Sequence, residues 1–120
     1  MKITIETIPH NQQRYKTCGD WLWLADNHLK IYVSEMGNWG YEAAVGIHEA
    51  VEAVLCRAAG VPGTLVDAFD KAYDGIDEPG DEADAPYRNQ HCFATAVERL
   101  LIAALGISWA EYGAAVEALP

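Results

Sequence analysis

Hydrophobic and polar residues alternate through the first third of the chain. Lys2–Ile8 (KITIETI) alternates with β-branched residues, which predicts a half-buried strand. Tyr15–Leu24 and Leu29–Val33 read as two further strands, joined by a turn at Asp26-Asn27-His28 into a hairpin. The pattern therefore predicts a small antiparallel sheet within residues 1–36.

From residue 39 onward, the apolar residues recur with a helical period. The first predicted helix covers residues 40–59, with Asn38 as its N-cap and Gly60 as a left-handed C-terminal cap. Three further helices are predicted to begin at Thr64, near Tyr87 and after Ser108. The helix near Tyr87 is expected to be central, because apolar residues cover most of its circumference. The order of elements predicts an α+β fold, with the sheet of residues 1–36 followed by about four helices in residues 39–120.

Length and charge limit the classes of function. With 120 residues and no long linker, the chain is expected to be a single domain, 1–120. Its net charge is −10, and its eight lysines and arginines form no cluster, so no nucleic-acid surface is expected. No membrane segment is expected either, since the apolar run Ala94–Ile107 is short and contains Glu98 and Arg99. Three widely spaced cysteines favour reduced thiols and a cytoplasmic location.

The helix of residues 40–59 carries the candidate chemistry, in the pentad His48-Glu-Ala-Val-Glu52. At about 100° per residue, His48 and Glu52 project from one helix face, one turn apart, with Glu49 beside them. An imidazole and a carboxylate at this spacing can hold a divalent metal ion, and an adjacent carboxylate can take a proton from water. The alternative is an ordinary His/Glu pair that is hydrogen-bonded or solvated. Glu52 is expected at the edge of the apolar face, where a buried carboxylate needs a partner.

A catalytic zinc site usually takes a third protein ligand, and His91 is the best candidate. It lies on a helix that must pack on the core, whereas the other histidines lie in loops of the sheet. Glu98 has three possible roles: a fourth ligand, a partner that orients His91, or a salt-bridge partner of an arginine, which is the role expected. The acidic loop of residues 76–86 could also contribute Glu78 or Asp81.

A sheet followed by a helix with His-Glu-x-x-(His/Glu) resembles the zincin metallopeptidases in a reduced form. The resemblance implies that His48 and His91 bind the metal, that Glu52 replaces the second histidine, and that Glu49 is the general base. The implied ion is zinc, although a carboxylate in place of an imidazole shifts preference toward manganese or iron. The chain is also similar to small uncharacterised phage and prophage proteins, which share the runs GDW, EPGD and APYR-x-x-H.

Three hypotheses about function follow. The first is a small zincin-type hydrolase, a peptidase or amidase, acting on a peptide or small-molecule substrate. The second is a nucleotide pyrophosphohydrolase that holds magnesium with Glu49, Glu52, Asp67 and Asp70, although that fold is all helical. The third is a non-enzymatic phage accessory protein that binds a protein partner through exposed tryptophans. The candidates for this last role are Trp21, Trp23, Trp39 and Trp109.

Overall fold

The computed structural model describes all 120 residues and has three strands followed by four helices. The strands are β1 (Lys2–Ile8), β2 (Gly19–Leu24) and β3 (His28–Ser34). The helices are α1 (Trp39–Ala59), α2 (Gly63–Ala72), α3 (Arg88–Ala104) and α4 (Trp109–Glu117). Single 3-10 turns lie at His10–Gln12 and Pro79–Asp81. The α+β prediction is therefore confirmed.

The sheet is mixed, with strand order β1-β3-β2. β2 and β3 form the predicted antiparallel hairpin, and its turn places Asp26 and Asn27 at positive φ, 61° and 56°. β1 runs parallel to β3, with Ile5 opposite Ile31, so the prediction of an entirely antiparallel sheet is wrong for this strand. β2 also begins at Gly19 and not at Tyr15, which leaves residues 9–18 to carry the chain from β1 past β3 to its far edge. Alternation predicts a strand and its buried face but not the direction of its neighbour.

Helix α1 packs across the sheet and forms the centre of the core with β3. Leu29, Ile31 and Val33 of β3 are fully buried against it. Gly46 permits this close contact, because a Cβ atom there would lie 2.8 Å from Cγ2 of Ile5. Both predicted ends of α1 are confirmed. The Asn38 side chain accepts hydrogen bonds from two backbone amides, and Gly60 has a φ of 72°.

Helix α3 lies along α1, but only one of its faces is buried. His91, Ala94 and Ile102 face the core, whereas Phe93 is 59% exposed and Leu100 is 73% exposed. The expected central helix is therefore wrong, because no other element of this small domain covers the opposite side. None of the four helices is by itself long and apolar enough to cross a membrane. Only α3 and α4 taken together meet that test, across a bend of 119°.

Candidate metal centre

Helices α1 and α3 bring the three predicted ligands together. His48 Nε2 lies 3.2 Å from Glu52 Oε2 and 3.2 Å from His91 Nδ1. His91 Nδ1 lies 2.9 Å from the same Glu52 oxygen. All three residues are buried, with no more than 7% of each exposed. The two imidazoles thus meet one carboxylate oxygen in the interface between the helices.

The spacing of these three atoms fits a divalent metal ion. Zinc binds nitrogen and oxygen at about 2.0–2.1 Å, so ligand atoms around a tetrahedral ion lie about 3.3 Å apart. The separations of 2.9–3.2 Å are close to that value and slightly shorter, as expected when hydrogen bonds join the ligand atoms directly. Three protein ligands would leave one position of a tetrahedral ion open. The cluster of His48, Glu52 and His91 can therefore hold a metal ion.

The pKa shifts within the cluster favour an ionised Glu52 carboxylate facing a protonated His48. Burial alone lowers the pKa of His48, but hydrogen bonds to Glu52 and Glu98 outweigh it and raise that pKa well above its usual value. Burial alone raises the pKa of Glu52, but hydrogen bonds from His48, His91 and Trp21 lower it to about 2. The Trp21 contact joins Nε1 to Glu52 Oε1 at 2.9 Å. The buried carboxylate thus has a donor on each oxygen.

Each imidazole also has a carboxylate at its second ring nitrogen. Glu98 Oε1 lies 2.7 Å from His48 Nδ1, and its other oxygen accepts a hydrogen bond from the Tyr112 hydroxyl. Asp81 Oδ1 lies 3.4 Å from His91 Nε2. Carboxylates in this position fix the orientation of metal-binding histidines and raise their basicity. The expected salt bridge from Glu98 to an arginine is therefore wrong, and Glu98 orients His48 rather than His91.

The EPGD run, residues 78–81, lies directly against the ring of His91. A Cβ atom on Gly80 would lie 2.3 Å from Cγ of His91, so only glycine fits between this loop and the ring. Asp81 reaches His91 from the same turn, whereas Glu78 lines the cavity beside the cluster without a side-chain hydrogen bond. Neither acid belongs to the three-ligand cluster. The EPGD run was visible in the sequence, but helix periodicity could not predict that this loop would contact His91.

Glu49, the predicted general base, lies next to the cluster and lines the same cavity. It is half-buried and forms no side-chain hydrogen bond. Burial, and then the charge of Glu52, raise the pKa of Glu49 well above its usual value. Gly19 gives it room, since a Cβ atom there would lie 2.8 Å from Glu49 Oε1. Gly19, the glycine of the GDW run, therefore borders the site as Gly80 of the EPGD run does.

Two of the acids proposed for a magnesium site, Asp67 and Asp70, are engaged in other contacts. Asp70 accepts hydrogen bonds from the hydroxyls of Tyr15 and Tyr87. Asp67 accepts one from Arg14, which also binds Asp20. Of the cysteines, which are all free, Cys56 is buried in the core and Cys92 is exposed. The tryptophans differ, since Trp21 is 6% exposed and Trp39 is 74% exposed.

The cluster forms part of the wall of a large cleft. The cleft has a volume of about 930 Å³ and extends from α2 and the loop of residues 75–82 to α4. His48, Glu49, Glu52 and His91 all line it, so the cluster borders the cleft although its three side chains are buried. No protein-family model matches the chain, and neither the curated proteins nor the solved structures contain a match.

Proposed function

We propose that this protein is a small metal-dependent hydrolase of the zincin type that cleaves a peptide or amide bond. The observation that carries the proposal is the meeting of three ligand atoms within 3.2 Å of one another at the wall of an open cleft. Glu49, an acid with no hydrogen-bond partner, borders the same cleft. A metal triad beside an unengaged acid is the arrangement required for hydrolysis by activated water.

The cluster of His48, Glu52 and His91 would bind the ion, and Glu49 would transfer the proton. A bound divalent ion would supply Lewis acidity, which lowers the pKa of water and polarises a carbonyl group. Glu49 accepts the proton of the attacking water and returns it to the leaving nitrogen. Glu98 and Asp81 hold the two imidazoles in the orientation that turns His48 Nε2 and His91 Nδ1 toward Glu52. Trp21 holds the second oxygen of Glu52.

Zinc is the ion we propose, because two imidazole nitrogens and one carboxylate oxygen are a usual catalytic zinc set. Manganese and iron are the alternatives, since they also bind this mixture of ligands. The three free cysteines fit the cytoplasmic location expected from the sequence. The similarity to phage and prophage proteins adds no substrate to this proposal.

Elemental analysis combined with two variants tests the proposal. We expect close to one zinc per chain after purification without added metal, and loss of that zinc in His48→Ala. Glu49→Gln is expected to keep the zinc and to lose hydrolysis of a quenched-fluorescence peptide library. Zinc content below about one fifth of an ion per chain, or full activity in Glu49→Gln, would contradict the proposal.

A protein-binding role is the second candidate, and one observation favours it. Phe93 and Leu100 form an exposed apolar face on α3, and Trp39 is exposed at the start of α1. Exposed aromatic residues often anchor interfaces. Glu49→Gln would leave such a role intact, whereas Phe93→Ser would abolish it without changing the zinc content. Magnesium-dependent nucleotide hydrolysis has less support, because Asp67 and Asp70 are already engaged.

A further inference from the structure

We infer that the cleft selects cationic substrates, namely peptide segments that carry lysine or arginine beside the bond to be cleaved. This inference rests on the proposed hydrolase function and concerns the same cleft. It comes from how charge is distributed over the molecule, which the net charge of −10 does not reveal.

Acidic residues are concentrated in the cleft rather than spread over the surface. The cleft is lined by 34 of the 120 residues, yet these include eleven of the eighteen aspartates and glutamates. Only two of the eight lysines and arginines line it, Lys16 and Lys71. This enrichment gives the cleft a negative electrostatic field.

Part of this negative charge is already neutralised or hydrogen-bonded within the protein. Arg14 pairs with Asp20 and Asp67, and Glu98 is bonded to His48 and Tyr112. A divalent ion in the cluster would offset two further charges. The remaining acids still outnumber the two lysines, so the cleft stays negative with the ion bound.

Besides Glu49, three acids that line the cleft have no partner within the protein. Asp77 and Glu78 lie on the loop that precedes the Pro79–Asp81 turn, and Glu117 lies at the end of α4. All three are exposed and have no side-chain hydrogen bond or ion pair. A bound segment therefore meets unpaired negative charge from the loop and from α4. Charge on two separate elements suits an extended segment with several cationic side chains better than a single amine.

Low-dielectric walls focus such a field, so cationic ligands are concentrated in the cleft and anionic ligands are repelled. A nucleoside triphosphate would meet two lysines and an excess of carboxylates. A peptide with lysine or arginine would meet the unengaged acids, while its backbone lies over the metal cluster. Binding of this kind is expected to weaken as salt concentration rises, because Asp77, Glu78 and Glu117 are exposed.

Three fluorescein-labelled hexapeptides test the inference, with glycine alternating with lysine, serine or glutamate. Their affinities are measured by fluorescence anisotropy with zinc-loaded wild type at low salt. The lysine peptide is expected to bind at least about tenfold more tightly than the serine peptide, and the glutamate peptide more weakly than both. Equal binding of the lysine and serine peptides would overturn the inference.

Two double variants separate the cleft from net charge. Asp77→Asn with Glu117→Gln neutralises two acids in the cleft, and Asp26→Asn with Glu35→Gln neutralises two exposed acids outside it. The cleft pair is expected to weaken lysine-peptide binding by about fivefold or more, and the outer pair by less than about twofold. Equal weakening by both pairs would mean that only net charge matters and would overturn the inference.

The proposed hydrolase can fail separately from this selectivity. If the lysine peptide binds preferentially, but none of the three peptides is hydrolysed and the protein as purified contains no zinc, the cationic preference stands and the hydrolase is refuted. If zinc-dependent hydrolysis is equally efficient for lysine and serine peptides, the hydrolase stands and the preference is refuted. His48→Ala adds the matching control, because it removes the ion but keeps every unengaged acid of the cleft.

Discussion

Gly80→Ala is expected to disrupt the candidate metal site although it replaces none of the three residues of the cluster. The turn Pro79–Asp81 lies on the imidazole of His91, and a Cβ atom on Gly80 would lie 2.3 Å from Cγ and 2.5 Å from Nδ1 of that ring. Carbon atoms in contact are normally at least about 3.5 Å apart, so either the turn or the ring must shift by more than 1 Å. His91 Nδ1 is the atom that faces Glu52, and a shift of this size would take it out of the cluster.

Two effects of Gly80→Ala are expected, a loss of stability from overpacking and a loss of zinc affinity. Inserting a methyl group into a filled site usually costs about 1–3 kcal/mol, and we expect that loss in the free energy of unfolding of the ion-free protein. Displacing Asp81 alone is expected to weaken zinc binding by about 10–100-fold, the usual effect of losing the support of a ligand, and displacing His91 itself is expected to weaken it further. Urea unfolding measures the first quantity, and competition with a chromophoric zinc chelator measures the second.

Gly113→Ala is the matched control. Gly113 lies within α4, and a Cβ atom there meets no other atom within 4 Å. Alanine replaces glycine in a helix with a gain of about 0.5–1 kcal/mol, so this variant is expected to be slightly more stable, with unchanged zinc affinity. If Gly80→Ala keeps both wild-type stability and zinc affinity within twofold, the loop does not lie on His91, and the reasoning is refuted.

Three further predictions concern the site and its surroundings. Glu98→Gln is expected to weaken zinc binding by about tenfold, because His48 loses its charged partner. Glu111→Gln, on the surface, is the control and is expected to leave zinc binding unchanged. Competition with the chelator measures both variants. Zinc at 100 times its dissociation constant is expected to stabilise wild type by about 2.7 kcal/mol in urea unfolding, and His91→Ala should show no such gain. Asp70→Asn tests the pH dependence, because burial raises the pKa of Asp70 to about 6. The acid form is favoured in the folded state, so its stabilising effect is complete below pH about 4 and is lost as pH rises through about 6. Asparagine mimics the neutral form, and the stability of Asp70→Asn relative to wild type should increase by at most about 3 kcal/mol between pH 4 and pH 7.5. Asp74→Asn, at an exposed aspartate, is the control. If the stability difference between Asp70→Asn and wild type changed with pH no more than that of Asp74→Asn, the prediction would be contradicted.

The helices were predictable because their signals are local. Asn38 and Gly60 mark the ends of α1 by side-chain capping and by a left-handed backbone, and both operate within one turn of the helix. Ser108 marks the start of α4 in the same way. The direction of β1 carries no such signal. Parallel pairing with β3 depends on the path of residues 9–18 around the sheet, which alternation does not describe.

The meeting of the three residues of the cluster was also predictable, since His48 and Glu52 are related by helix geometry and His91 was the remaining histidine on a packed helix. The side chains that contact this cluster from outside were not predictable. Glu98 faces His48 across two helices whose relative rotation depends on the packing of the core, and Tyr112 reaches it from a third. Side-chain periodicity locates a residue on its own helix, but it does not tell which residue of another helix it will meet.

The arrangement around Glu52 explains how three polar side chains can be buried here before any ion binds. Leaving a carboxylate unpaired in the core costs several kcal/mol, but each Glu52 oxygen has a donor, and each imidazole has a second carboxylate behind it. The hydrogen bonds hold the ligand atoms at nearly the separation that a metal ion requires. An ion can therefore replace the shared protons without reorganising either helix, because the three side-chain atoms already lie together before any ion binds.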